Sequence, residues 1–155
     1  MKRILFFSTF IGLVLPSVLI AGVTRITCAE TQWRHRFPTK EYEDKFSEKW
    51  YKTSSSYSFT FDEKNNYVFV YFPNKSFDRA GKNLVTFRPD LIKFVLPVKK
   101  NLVDNEYTLD NYEMNRINGE FSRIYKVFNA ENNKLTYEMQ SKGKCKKNPN
   151  QIKLF

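Results

Sequence analysis

Histidine is nearly absent from this chain. His35 is the only one, and there are just two cysteines, with no Cys-x-x-Cys. A histidine-cysteine metal site and a thioredoxin-like redox site therefore have no support. Glycine and proline are sparse, at 5 and 6 residues. That excludes collagen-like repeats and low-complexity linkers. No Gly-x-Ser-x-Gly elbow, His-Glu-x-x-His pair or glycine-rich phosphate loop occurs, so the familiar hydrolase, metalloprotease and nucleotide-binding signatures are missing. No internal repeat is visible either. Acidic residues are outnumbered, with 16 Asp and Glu against 26 Lys and Arg.

Aromatic residues are abundant. They make up 17% of 155 residues. The length suits one domain and leaves little room for a second. Hydrophobic residues reach 41% and charged residues 27%, a balance suited to a folded domain rather than a disordered chain.

The first residues read as an export signal. Lys2 and Arg3 precede an apolar run from Ile4 to Val23, the n-region and h-region of a signal peptide. Gly12 and Pro16 interrupt the run, which suits a signal better than a spanning helix. Ala21 and Gly22 are small enough to flank a cleavage site, while Leu19 and Ile20 are poor residues for one. The run is 20 residues long, just enough to cross about 30 Å of hydrocarbon. The predicted division is thus a signal peptide or uncleaved anchor over residues 1–22 and a β-rich domain over 23–155. A lipoprotein box is excluded because Val23, not cysteine, follows Leu19-Ile20-Ala21-Gly22. The expected location is periplasmic or extracellular, or anchored to the membrane by residues 4–23.

Two cysteines in an exported chain read as a disulfide, and Cys28 with Cys145 is the single pairing within the chain. It would close a loop worth on the order of 4–5 kcal/mol in the chain-entropy account. It would also pin the first and last strands together.

Along the domain the hydrophobic period is mostly two. Val23–Thr31 reads as a first strand. Tyr42, Phe46 and Trp50 are then spaced by four, with acids before and lysines after, and predict one short helix over 40–51. Tyr57, Phe59 and Phe61 alternate with polar residues, and Tyr67–Phe72 reads as a central strand. A long loop is expected up to Leu84, then strands at Leu84–Phe87 and Leu91–Leu96, closed by Pro97. A second loop covers 98–111. Asn118-Gly119 between alternating runs predicts a two-residue type I′ hairpin. Lys134–Gln140 is the last predicted strand, followed by a basic tail. The fold class expected is mainly β: a single antiparallel barrel or sandwich of about seven strands with one short N-terminal helix.

The hairpin residues Tyr112-Glu-Met-Asn-Arg-Ile-Asn-Gly-Glu-Phe121, with Cys145 downstream, resemble a pattern in small exported bacterial β-proteins of unassigned function. Those carry an Ile-Asp-Arg-x-Thr-Gly turn and a last cysteine paired with an early one. Asn115 stands here where the pattern has Asp, and Asn118 where it has Thr. The resemblance covers the last 35 residues or so plus Cys28. It implies a small β-fold and no activity.

Candidate chemistry is thin. His35, flanked by Arg34 and Arg36, reads as a surface or edge residue where a metal cation would be repelled. Paired carboxylates are the remaining catalytic option, with Glu41, Glu43, Asp44 and Glu48 on the predicted helix and Asp104, Glu106, Asp110 and Glu113 near the second loop. The helix set is explained as well by its dipole and by i,i+4 pairs with lysine. Lys142, Lys144, Lys146 and Lys147 form the core of the basic tail. They could touch an anionic surface, or could form a solvated tail. Tyr57, Phe59, Phe61, Tyr67, Phe69 and Tyr71 read as core, with a small-ligand cavity as the other reading. No cofactor or metal is expected, and nucleic acid is not. Two readings of function follow: an exported, non-catalytic envelope binding or interaction domain, or a small envelope hydrolase using paired carboxylates. A membrane-anchored accessory protein is a third.

Overall fold

The computed structural model describes residues 23–38, 45–46, 49–74, 76–101 and 103–147. The described residues form ten strands: β1 (Val23–Arg36), β2 (Tyr51–Lys52), β3 (Ser56–Asp62), β4 (Tyr67–Tyr71), β5 (Phe77–Ala80), β6 (Val85–Phe87), β7 (Leu91–Asn101), β8 (Glu106–Asn115), β9 (Glu120–Asn129) and β10 (Leu135–Lys147). All pair antiparallel in one sheet of order β5-β4-β3-β1-β10-β9-β8-β7-β6, with β2 added beside β1. The sheet curls until its ends nearly meet, giving a barrel-like closure rather than a sandwich. Lys99 on β7 and Asp78 on β5 form an ion pair across the remaining seam.

The period-two pattern places the core. Tyr57, Phe59 and Phe61 of β3 face inward beside Val68 and Val70 of β4, Phe94 of β7, Tyr112 and Met114 of β8, and Phe121 of β9. Phe59, Phe61, Phe94 and Phe121 are almost fully buried. Their rings meet at centroid distances near 6 Å, as in Phe59–Phe94 at 5.8 Å and Phe59–Phe121 at 5.8 Å, within the range of favourable aromatic pairs. Tyr67, Phe69 and Tyr71 instead alternate to the outer face of β4 and are only half-buried. Three of the six predicted core aromatics are therefore outside.

Cys28 and Cys145 are directly opposite in the β1–β10 ladder and are joined by a disulfide. Gly143, paired with Glu30 nearby, lets the two backbones touch. A Cβ there would lie 1.9 Å from the Ala29 carbonyl oxygen, next to the bulge between Glu30 and Gln32.

Four hairpin turns share one construction. Each opens on Asp or Asn, has Asn or Asp three residues on, and closes on a residue with positive φ. These are Asp62–Asn66, Asn101–Asn105, Asn115–Gly119 and Asn129–Asn133, with closing φ values of 56°, 51°, 71° and 55°. The opening side chain accepts backbone N–H bonds from within the turn. Asn115 Oδ1 accepts from Ile117 and Asn118 at 2.9 and 3.1 Å, and Asn129 Oδ1 accepts from Glu131 and Asn132 at 3.0 and 3.2 Å. Asp62 and Asn101 do the same with Asn65 and Val103. The Asn118-Gly119 turn is thus a four-residue loop with only Gly119 left-handed, not a type I′ pair. Gly119 also sits against β10: Cys145 N–H donates to its carbonyl at 2.7 Å, and a Cβ would lie 2.9 Å from the Cys145 oxygen.

Arg116, from the same turn, ties one end of the barrel. Its guanidinium reaches Glu63 in the β3–β4 turn at 3.0 Å and the Arg88 carbonyl in the β6–β7 turn at 3.1 Å. Phe61 and Phe87 lie at this narrow end.

Several expectations change. The predicted helix over 40–51 falls largely outside the described residues. Those of it that are described are not helical, and Tyr51 belongs to a strand. The only helical element among the described residues is a 3-10 turn at Lys82–Leu84. The predicted long loop before Leu84 contains β5, a short edge strand whose sequence, Phe-Asp-Arg-Ala, carries too few apolar residues to announce itself. β7 does not stop at Pro97. It runs on to Asn101 through a register shift between Leu96 and Lys99, a place where proline is tolerated because the ladder is already broken. The predicted basic tail begins at Lys142; its first part, Lys142 to Lys147, is the second half of β10, and the rest, with Lys153, lies outside the described residues. The disulfide and the ladder to β1 keep the first part in the sheet.

The turn construction predicts a residue-specific stability pattern at Asn66. Asn66→Ala should lower unfolding stability by about 1 kcal/mol, because alanine carries the left-handed penalty, whereas Asn66→Gly should not lower it. Urea unfolding of both variants tests this, and equal losses would sink it. For the disulfide, Cys28→Ala with Cys145→Ala should cost about 3–5 kcal/mol. Denaturant midpoints unchanged from the oxidised wild type would rule that out.

Candidate ligand site at the wide end of the barrel

The end opposite Arg116 is built differently. The long strands β1, β7, β8, β9 and β10 extend beyond the short ones there, and their inward residues turn from apolar to polar. Cross-strand register sets Tyr112, Arg123, Ser141 and Trp33 in one row across β8, β9, β10 and β1. Asp110, Tyr125, Met139 and His35 form the next row outward.

Arg123 and Asp110 make the floor. Arg123 Nε donates to Asp110 Oδ1 at 2.8 Å, and its Nη2 donates to Oδ2 at 2.8 Å. Tyr112 adds its hydroxyl to Oδ2 at 2.8 Å. The remaining Arg123 nitrogen, Nη1, donates to the Tyr57 hydroxyl at 2.8 Å. The rings of Tyr57, Tyr112 and Tyr125 surround the guanidinium at 5.3–5.5 Å, within cation–π range. Burial works against the Arg123 charge. Its hydrogen bonds to Asp110 and the field of Tyr112, Asp110 and Tyr57 outweigh burial and raise its pKa. Burial pushes the Tyr112 hydroxyl well above its ordinary range, with Asp110 adding to the shift. Tyr57 rises chiefly through burial, with Glu30 and Asp110 adding and Arg123 opposing.

Beside this floor lie three buried polar atoms that make no hydrogen bond to any described residue: Glu30 Oε1, Ser141 Oγ and His35 Nδ1. Glu30 is 5% exposed and Ser141 2%. All three belong to the inner face. Around His35 stand Trp33 at 5.2 Å, Phe37 at 5.3 Å, and Tyr51 and Tyr137 at 6.1 Å. Tyr137 in turn meets Tyr125 at 6.4 Å. These rings are half-buried, apart from the more exposed Tyr51. A cavity of about 260 Å³ opens on the other side of Tyr125, bounded by Phe72, Leu96, Thr108, Asp110 and Arg123.

His35 therefore does not sit among its arginine neighbours. Arg34 and Arg36 alternate to the outer face, where they bond Gln140 and Glu138. Phe46 and Trp50 cover them there. Of the predicted carboxylates, Glu41, Glu43, Asp44 and Glu48 lie outside the described residues. Asp104 bonds Asn101 within its turn. Glu113 faces outward and pairs with Lys93 at 2.8 Å. Asp110 is the floor residue, and Glu106 stands on the same face nearer the rim, where its charge reaches Tyr125. The structure does not bring the four together. Lys142, Lys144 and Lys146 alternate outward along β10 and are exposed; the Lys142 ammonium lies over the Trp50 ring at 4.3 Å. Lys147 ends the strand. Among the described residues no three His, Cys, Asp or Glu side chains converge to hold a metal ion.

Sequence reasoning missed Glu30, Arg123 and Ser141. The alternation of Cys28 with Glu30 did carry a signal, because a carboxylate in phase with a buried cysteine faces inward. No known protein family matches the sequence, and neither does any characterised protein.

The buried tyrosines set a pH dependence. Their folded pKa values lie above the ordinary 10.0, so the unfolded chain ionises them first. Their contribution is complete below pH 10 and is lost as pH rises beyond it. Unfolding stability should therefore fall from about pH 10 upward (about 1.4 kcal/mol per pH unit for each tyrosine that only the unfolded chain ionises). Tyr112→Phe should flatten that fall. Urea titrations at stepped pH measure it, and identical slopes for variant and wild type would refute the assignment.

Proposed function

We propose that this chain is an exported, non-catalytic binding domain that takes a small ligand into the wide end of its barrel. The observation that carries the reading is the set of unpartnered polar atoms on Glu30, Ser141 and His35, all on one concave, half-buried aromatic face. Buried polar groups without partners are rare in folded domains and cost free energy; a ligand's own donors would satisfy them. Barrel mouths are a common place for such sites. Export is supported by the basic-apolar run at 2–23 and by the disulfide, which belongs to oxidising compartments. Among the described residues no helix is long and apolar enough to cross a membrane.

This reading is preferred to a carboxylate hydrolase. Asp110 accepts three hydrogen bonds from Arg123 and Tyr112, so its carboxylate is held in a buried ion pair rather than set opposite a second carboxylate. Asp104 and Glu113 face elsewhere.

Native mass spectrometry of protein recovered from the periplasmic fraction tests the proposal. The mature chain should begin at Val23. Wild type should carry a small-molecule adduct, and Ser141→Leu, which fills the mouth, should not. A chain retained in the membrane fraction with residues 1–22 attached would favour the anchored form. Identical adduct-free spectra for both proteins would overturn the binding reading.

A further inference from the structure

The chemistry of the wide end selects a ligand class. Glu30 is a carboxylate at 5% exposure, and no described residue donates to it or forms an ion pair with it. Burying such a charge alone is costly, and a partner of opposite sign relieves the cost. The cation closest in the register, Arg123, is already committed. Three of its nitrogens serve Asp110 and Tyr57. Lys99, at the seam, is held by Asp78. The Tyr57 hydroxyl accepts from Arg123, and the field of Glu30 reaches it, but no hydrogen bond joins Tyr57 and Glu30. Glu106, nearer the rim, makes no ion pair among the described residues. Once the Arg123–Asp110 and Lys99–Asp78 pairs are set aside, the charge left facing the mouth is negative, although the chain as a whole carries +10.

The neutral groups point the same way. Ser141 Oγ, one inward position along β10 from the glycine that faces Glu30, is a second free acceptor. The walls beyond are aromatic: Trp33, Tyr51, Tyr125 and Tyr137. Aromatic faces attract cations, and the combination of rings with a carboxylate is the usual way to hold an ammonium in a dry site. His35 Nδ1 offers another free nitrogen farther out.

Resting on the binding reading above, we infer that the wide end of the barrel binds a small organic amine, with its ammonium against Glu30 and Ser141 and its apolar body along Trp33 toward His35. A carboxylate ligand would meet Glu30 with like charge. A neutral ligand would leave that charge uncompensated.

Three probes that share a phenyl ring and differ in charge test this: phenethylamine, 2-phenylethanol and phenylacetate. Isothermal titration at pH 7 and low salt, with tryptophan fluorescence as a second readout, gives the comparison. Phenethylamine should bind, and the alcohol and acid should bind at least about tenfold more weakly, as expected when a charge-assisted hydrogen bond is lost. Glu30→Gln should weaken phenethylamine by about tenfold or more while its thermal midpoint stays the same or rises, since an uncompensated buried charge is removed. Ser141→Ala, a smaller change, should weaken it without altering the order of the probes. Preference for the alcohol or the acid, or a Glu30→Gln variant that binds phenethylamine as well as wild type, would overturn the amine assignment. If Ser141→Leu still blocked those probes, the mouth would stand as a binding site for another ligand class. Absence of binding by all three, together with adduct-free native spectra, would remove both readings.

Discussion

The β1–β10 ladder is the joint on which the molecule depends. Read along the sheet, β5, β4, β3 and β1 form one half, and β10, β9, β8, β7 and β6 form the other. Each half is a run of neighbouring strands in sequence, apart from the step from β3 to β1. Among the described residues the strand ladders join the halves at one place only, between the first and last strands. The far seam, between β5 and β7, is closed by side chains such as Asp78 and Lys99. Pairing strands 117 residues apart is entropically expensive, and the disulfide places its constraint on that pair. Gly143 serves the same joint, since any side chain there would push β1 away.

The joint also fixes the site. Glu30, Trp33 and His35 reach the inner face through β1, while Arg123, Tyr125 and Asp110 come from β8 and β9. Ser141 and Tyr137, on β10, lie between the two sets. The bulge between Glu30 and Gln32 resets the phase of β1, so that Glu30, Trp33 and His35 all point inward although their spacings are three and two. Without that extra residue, Trp33 would face out alongside Thr31. A one-residue register change thus decides whether the aromatic wall exists.

Much of this was legible in the sequence, and the misses have physical causes. Strands with a clean alternation, such as Tyr57-Phe59-Phe61, declared themselves. So did the cysteine pair, because two was the whole supply. The helix expected at 40–51 rested on Tyr42, Phe46 and Trp50. Of these, the described Phe46 and Trp50 cover Arg34 and Arg36, a contact that a spacing of four does not distinguish from a helical face. Lys142–Lys147 looked like a tail because alternate lysines on a sheet face are indistinguishable from a solvated run unless the partner strand is known. His35 was assigned to the arginines beside it in sequence, although in a strand adjacent residues point to opposite faces. The Asx-x-x-Asx-Asn/Gly turns occur four times, but three of them lack the Asn-Gly pair that marks a hairpin in sequence. The buried ionic floor could not be read at all. Arg123 and Asp110 are 13 residues apart, and only the β8–β9 register makes them neighbours.

The two ends of the barrel divide stability from binding. At the narrow end, the aromatic core and the Arg116 contacts fix three turns to one another, and every polar group named there has a partner. At the wide end, the Arg123–Asp110 pair is satisfied and rigid, while Glu30, Ser141 and His35 are not. Replacing a buried ion pair with apolar residues often stabilises a domain, so a core that retains one at the base of a concave face gives up free energy there. The satisfied pair holds Tyr57, Tyr112 and Tyr125 in fixed positions around it. That leaves the unsatisfied atoms with fixed walls, which is the preorganisation a binding site needs. A folding-only account explains the floor but not the three unpartnered polar atoms. A binding account explains both, because the floor orients the walls and the unpartnered atoms meet the ligand.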